Sequence, residues 1–129
     1  MKLATCPDLH AHAQQLGVRL RRHTSGPKGV YHHPSRTIST RRGMSIQQYR
    51  STLAHELGHA HYGDTPRRGI YSVRQEARAD TYAARLLITH DAFLDAATWH
   101  NGHLGGIADE LEVTHHLLLR WIADNGRKP

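Results

Sequence analysis

The residues of this sequence with the clearest chemical potential are His55, Glu56 and His59, which form the pattern H-E-x-x-H. On a helix, side chains at i and i+4 share one face about 6 Å apart along the axis, so two imidazoles can bind one zinc ion at about 2.0–2.1 Å. Glu56 can then act as the base that deprotonates the attacking water. The pattern predicts a hydrolase that acts on a polarised carbonyl.

Histidine is abundant in this chain, so a chance match has to be considered. With 13 histidines in 129 residues, the expected number of accidental matches is roughly 0.04. Composition therefore does not account for the motif. Other histidine pairs lack both a companion glutamate and the i, i+4 spacing, and are predicted to be surface residues. They are His10 and His12, His32 and His33, and His115 and His116.

A catalytic zinc ion normally has three protein ligands, so a third residue is needed. The longer pattern H-E-x-x-H-x-x-G-x-x-H fails, because Tyr62 replaces its glycine and Thr65 its last histidine. Glu76, in the sequence EARAD, is the better candidate. Asp80 follows one helical turn later and could accept a hydrogen bond from the free ring nitrogen of His55.

Two helices must position these side chains. Ser45 and Gln48 have the spacing of a capping box, and apolar residues recur at helical spacing until Gly63, which predicts a helix over 45–62. A second, alanine-rich helix is predicted over 73–88. Its small side chains would allow a close approach to a neighbouring helix.

Shorter elements are predicted on both sides of these helices. In chain order they are a helix over 8–15 that Pro7 opens, strands over 18–24, 29–33 and 36–40, and helices over 91–98, 107–111 and 114–123. The last two strands would form a hairpin or a meander. The expected fold class is α+β: a small zincin-like domain with a short three-stranded sheet, the H-E-x-x-H helix, the acidic helix and a C-terminal segment that resembles a helix-turn-helix.

The length of the chain favours one domain over residues 1–129. It would comprise a helix and small sheet in 1–44, the site helices in 45–88 and the C-terminal helices in 89–129. The single cysteine, Cys6, excludes an intramolecular disulfide and a thiolate-rich zinc site. No stretch approaches the roughly 20 apolar residues that span a bilayer, and the N-terminus does not read as a signal peptide. We therefore expect a cytoplasmic protein that does not bind membranes.

The net charge of +6 suits a nucleic-acid ligand or an acidic protein partner. However, the basic residues are dispersed, as on an ordinary solvated surface. The last predicted helix is mostly apolar and carries only Arg120 as a cation, whereas a recognition helix exposes base-reading side chains. Direct nucleic-acid binding is therefore not favoured. A DNA-binding or regulatory protein with a structural or vestigial zinc site stays open as an alternative.

Two segments of the chain resemble a known family. STLAHELGHAHYG at 51–63 and QEARADTYAARLL at 75–87 are similar to the motifs of the ImmA/IrrE metallopeptidases, gluzincin-type enzymes of bacteria, phages and mobile elements. The segment GIADELEVTHHLLLRWI at 106–122 resembles the closing part of that family. The resemblance thus covers most of residues 45–122.

The resemblance implies a zinc peptidase with His55, His59 and Glu76 as the metal ligands and Glu56 as the general base. It also implies a protein substrate, a helix-turn-helix repressor that is often encoded nearby. A toxin-like component of a two-gene module could use the same zinc chemistry on another protein. The residue that stabilises the oxyanion stays open among four candidates: Tyr62, Tyr71, His61 and His103.

Overall fold

A computed structural model describes residues 8–126, so Cys6 and Pro7 lie outside the described residues. The elements are, in order, α1 (Leu9–Gln15), β1 (Arg19–His23), β2 (Gly29–His32), β3 (Thr37–Arg41), α2 (Ile46–Tyr62), α3 (Ile70–Leu87), α4 (His90–Trp99), α5 (Leu104–Leu111) and α6 (His115–Asn125). The predicted α+β class and small zincin-like domain are confirmed. Over residues 8–126, no helix has the length and apolar character needed to cross a membrane.

The three strands form one mixed sheet in the order β1–β3–β2. The hairpin of β2 and β3 is antiparallel, as predicted, but β1 pairs in parallel with β3. A meander is therefore wrong, because β3 and not β2 is the central strand. The reason is burial: β3 alone carries two buried side chains, Ile38 and Thr40, whereas both edge strands are partly or fully exposed along their length.

Helix α2 begins and ends where its sequence signals predict. Ser45 caps it by accepting a hydrogen bond from the Gln48 amide at 3.2 Å, and the Gln48 side chain accepts one from the Ser45 amide at 3.4 Å. Gly63 ends it in the left-handed conformation with φ 65°, which glycine adopts without steric cost. Leu53 and Leu57 are fully buried and fix the helix in the core.

Helices α2 and α3 pack unusually closely. A Cβ atom added at Gly58 would lie 3.0 Å from the Cα atom of Ala79 and 3.1 Å from its carbonyl oxygen. Ala79 is fully buried, so the small residues of α3 make the close approach that the sequence predicts. α3 starts at Ile70, before the predicted 73. The sequence did not indicate this start, because the N-cap residue is Gly69, which has no side chain to form a capping hydrogen bond.

Among the C-terminal helices, α6 packs against α3, and α5 packs against α4 and α6. α5 starts at Leu104, before the predicted 107. The His103 ring caps this start by accepting a hydrogen bond from the Gly106 amide at 3.0 Å. In α6, buried side chains face the core, as predicted for an apolar helix. They are Leu117, Leu118 and Trp121.

Candidate metal centre

Three side chains predicted as ligands converge between α2 and α3. The Nε2 atoms of His55 and His59 lie 3.2 Å apart. The Glu76 carboxylate reaches both rings, with Oε1 3.1 Å from His55 Nε2 and Oε2 2.8 Å from His59 Nε2. The three residues form a group that could hold one metal ion.

The dimensions of this group fit zinc. Tetrahedral coordination with bonds of about 2.0–2.1 Å requires neighbouring ligand atoms about 3.3 Å apart. At the site, the two Nε2 atoms lie 3.2 Å apart, one oxygen of Glu76 lies 3.1 Å from His55 Nε2, and its other oxygen lies 2.8 Å from His59 Nε2. Two imidazole nitrogens and one carboxylate form a donor set that zinc enzymes use, and three protein ligands leave a position open for a reacting molecule.

In each of the two histidines, the second ring nitrogen, Nδ1, forms a hydrogen bond with a carboxylate. Asp80 Oδ1 lies 2.8 Å from His55 Nδ1, as the sequence predicted. Asp64 Oδ2 lies 2.9 Å from His59 Nδ1, and its other oxygen accepts a hydrogen bond from Arg78 at 2.6 Å. With Nδ1 protonated in each of these bonds, Nε2 carries the lone pair that a metal requires.

The role of Asp64 was missed at the sequence level. Gly63 reverses the chain at the end of α2, and the Asp64 amide then bonds to the His59 carbonyl at 2.9 Å. This turn carries a buried carboxylate back to the histidine ring. The sequence signal that could have indicated this contact is the acidic residue directly after Gly63, the glycine that ends α2.

Replacing Asp64 with asparagine is expected to weaken zinc binding by about 10–100-fold, because the His59 ring loses its charged acceptor. The affinity can be measured by competition with a chromogenic chelator. Asp95→Asn is the matched control, since Asp95 is exposed on α4. An affinity unchanged in Asp64→Asn would show that the contact does not support the metal.

The charges and the burial at the site shift the pKa values of His55 and Glu56. Burial lowers the pKa of His55, but the Asp80 hydrogen bond and the charges of Glu56, Asp80 and Glu76 outweigh it and raise the pKa to about 9. Without a metal, His55 therefore keeps a proton at neutral pH, which a bound cation would replace. Burial also raises the pKa of Glu56, although the two neighbouring histidines oppose this.

Two grooves meet at Glu56. The larger, of about 420 Å³, extends towards α6 and is lined by Lys28, Thr52, His55, Asp80 and His116 among others. The smaller, of about 210 Å³, extends towards Asp64 and Gln75. Glu56 and Gly29 line both grooves, so a substrate crossing from one to the other would pass the Glu56 carboxylate.

The four candidates for the oxyanion-stabilising donor are not among the described residues that line these grooves. Tyr62 and Tyr71 line a third pocket, which shares Asp64, Thr65 and Gln75 with the smaller groove. His61 packs against Tyr82, and His103 caps α5. His116 is exposed, as predicted, and also lines the larger groove.

Gly29 allows the edge strand β2 to lie against Glu56. A Cβ atom at this position would be 2.6 Å from Thr52 Cγ2 and 3.0 Å from Glu56 Cγ. The Arg41 amide donates to the Lys28 carbonyl at 2.8 Å. Because hydrogen bonding alternates along antiparallel strands, the backbone groups of Gly29 then face the free edge of the sheet.

Replacing Gly29 with alanine is expected to lower the free energy of unfolding by about 1–3 kcal/mol, because the new methyl group overlaps Thr52. Chemical denaturation measures this loss. The double variant Gly29→Ala, Thr52→Ser removes the overlapping methyl and should recover part of it. A single variant as stable as the wild type would contradict the close packing.

The fold and the site together define a class of protein, a small α+β domain in which two histidines and a glutamate form a possible metal-binding group. A family model for peptidases, the IrrE N-terminal-like domain, matches residues 13–120. The chain therefore belongs to the ImmA/IrrE family, and the resemblance drawn from its motifs is confirmed. A comparison with curated proteins gave no significant match.

Proposed function

We propose that this protein is a zinc-dependent metallo-endopeptidase that hydrolyses a peptide bond within a protein substrate. The observation that carries the proposal is the convergence of His55, His59 and Glu76 to within 3.2 Å of one another beside Glu56. Membership of a peptidase family gives independent support for hydrolysis of a peptide bond.

In this proposal, His55, His59 and Glu76 hold zinc. When bound, zinc polarises the scissile carbonyl and lowers the pKa of the attacking water. Glu56 accepts the proton of that water and returns it to the leaving amine. Its pKa, raised by burial, suits a group that must both accept and release a proton.

The two grooves support cleavage within a chain. One groove is lined by Ser51 and Thr52, which precede Glu56 on α2, and the other by His59, which follows it, so substrate residues can lie both before and after the scissile bond. The free edge of β2 borders both grooves at Gly29 and can bind an extended peptide by main-chain hydrogen bonds. An endopeptidase needs this arrangement.

We propose a helix-turn-helix repressor, encoded nearby, as the substrate, which the family resemblance supports. Such a substrate would place the activity in the cytoplasm. A toxin-like role would use the same site on another protein. Direct DNA binding is not favoured, because α6 directs Leu117, Leu118 and Trp121 into the core. Its exposed positions are His115, His116, Leu119 and Ala123.

Purified protein should contain about one equivalent of zinc and cleave members of a proteome-derived peptide library, with new termini identified by mass spectrometry. Less than about half an equivalent of zinc after reconstitution would count against the proposal. Co-expression with the product of the adjacent gene then tests the substrate. Cleavage identifies that product as the substrate, and toxicity without cleavage favours the toxin-like role.

A further inference from the structure

His116 lies on the wall of the larger groove, beside His55 and Glu56. It is the second residue of α6, and its side chain is 74% exposed. Its Nε2 atom lies 2.9 Å from Asp80 Oδ2. Among the described residues, no protein group bonds to its Nδ1 atom, which leaves that nitrogen accessible to a substrate in the groove.

Asp80 links this histidine to the metal centre. One oxygen of its carboxylate accepts from His55 Nδ1 at 2.8 Å, and the other from His116 Nε2 at 2.9 Å. The Asp80 carboxylate therefore connects the His116 ring to the His55 ring through two hydrogen bonds.

The start of α6 is fixed to the helix that carries the catalytic residues. The Thr114 amide donates to Ser51 Oγ at 3.0 Å, and the Thr114 side chain caps α6. The guanidinium of Arg50 donates to the carbonyl oxygens of Leu111 and Glu112, each at 3.1 Å. Because Arg50 and Ser51 belong to α2, the first turn of α6, which carries His116, is attached to the helix that carries Glu56.

We propose that His116 is a further catalytic residue, which donates a hydrogen bond from Nδ1 to the oxygen of the scissile carbonyl as that oxygen becomes negative. This inference rests on the proposed peptidase function. An imidazolium has a donor on each ring nitrogen, so Nε2 can bond to Asp80 while Nδ1 bonds to the substrate. A fixed donor of this kind typically contributes about 10²–10³-fold to kcat.

The reaction balances without a further reactant. The water oxygen bonds to the carbonyl carbon, the π electron pair moves to the carbonyl oxygen, and Glu56 takes a proton. The electron pair then re-forms the carbonyl, the C–N bond breaks, and Glu56 returns the proton to the amine. His116 stabilises the charged oxygen throughout and ends in its starting form. The products are a carboxylic acid and an amine.

The test compares His116→Ala with His115→Ala, its exposed neighbour on the same turn of α6. We expect His116→Ala to lower kcat about 10²-fold or more on the best library peptide, with KM changed by less than about threefold and zinc content unchanged. His116→Gln, which keeps a donor, should recover part of kcat. His115→Ala should match the wild type.

Binding of phosphoryl-leucyl-alanine, measured by calorimetry, gives a readout that does not depend on turnover. Its tetrahedral anionic group imitates the charged oxygen, so its affinity should fall at least tenfold in His116→Ala and stay constant in His115→Ala. A peptide hydroxamate, which is planar, should lose less affinity. In the metal-free protein, the NMR signal of the His116 Nε2 proton should show a hydrogen bond that Asp80→Ala removes.

The outcomes separate this inference from the proposed function. Zinc binding and peptide cleavage with kcat unchanged in His116→Ala would overturn the role of His116 and leave the peptidase proposal intact. The role of His116 would also be overturned if Lys28→Met, a change in the same groove, lowered kcat while His116→Ala did not. Wild-type protein without zinc and without cleavage would overturn both.

Discussion

Replacing Glu56 with glutamine is expected to lower kcat by about 10²–10⁴-fold, the usual contribution of a general base. Glutamine has the same shape, but its amide accepts no proton at neutral pH. The Glu56 side chain lies in both grooves and is buried, so solvent cannot easily replace it as a base. Cleavage of the library peptides, read by mass spectrometry, measures the loss.

Two controls make the Glu56→Gln result specific. Zinc content should be unchanged, because the three proposed metal ligands are intact. Glu110→Gln should keep full activity, since Glu110 is an exposed residue of α5. Full activity in Glu56→Gln would reject the peptidase mechanism. Loss of zinc together with activity would instead assign Glu56 a structural role at the metal.

Removal of zinc by a chelator is expected to lower Tm by on the order of 10 °C or more. The proposed ligands come from two helices, with His55 and His59 on α2 and Glu76 on α3, and the unfolded chain does not hold these two segments together. A metal that binds only the folded state at about 1,000 times its Kd adds about 4 kcal/mol to the free energy of unfolding. For a domain of this size, each kcal/mol corresponds to several degrees.

Differential scanning fluorimetry can follow this change with and without added zinc. Glu76→Gln should abolish most of the response to zinc, because the carboxylate that completes the site is lost. Magnesium should not replace zinc, since it prefers octahedral oxygen ligands. A Tm that does not respond to chelation of a zinc-loaded sample would show that the metal does not connect the two helices.

The parts of the site that the sequence predicts are those encoded by local spacing. His55 and His59 lie on one face because α2 is a helix, and its capping box and glycine terminus are both visible in the sequence. Glu76 and Asp80 are likewise one turn apart on α3. Once two such helices pack together, the side chains on the facing surfaces must meet.

The parts that were missed depend on contacts between distant segments. His116 reaches Asp80 across 36 positions of sequence, and the turn that places it there depends on Arg50 and Ser51. The parallel pairing of β1 with β3 is also non-local. Neither the His116–Asp80 contact nor the parallel strand pairing produces a periodic pattern in the sequence, because both depend on burial in the complete fold.

The close contact at Gly58 has a consequence for how this chain tolerates mutation. In the motif HELGH, only the first, second and last positions are proposed to do chemistry, yet Leu57 is fully buried and Gly58 lies against the Ala79 backbone. A saturation mutagenesis scan should therefore find all five positions intolerant. Changes at 57 and 58 should reduce the amount of folded protein, whereas conservative changes at Glu56 should leave folded protein that is inactive.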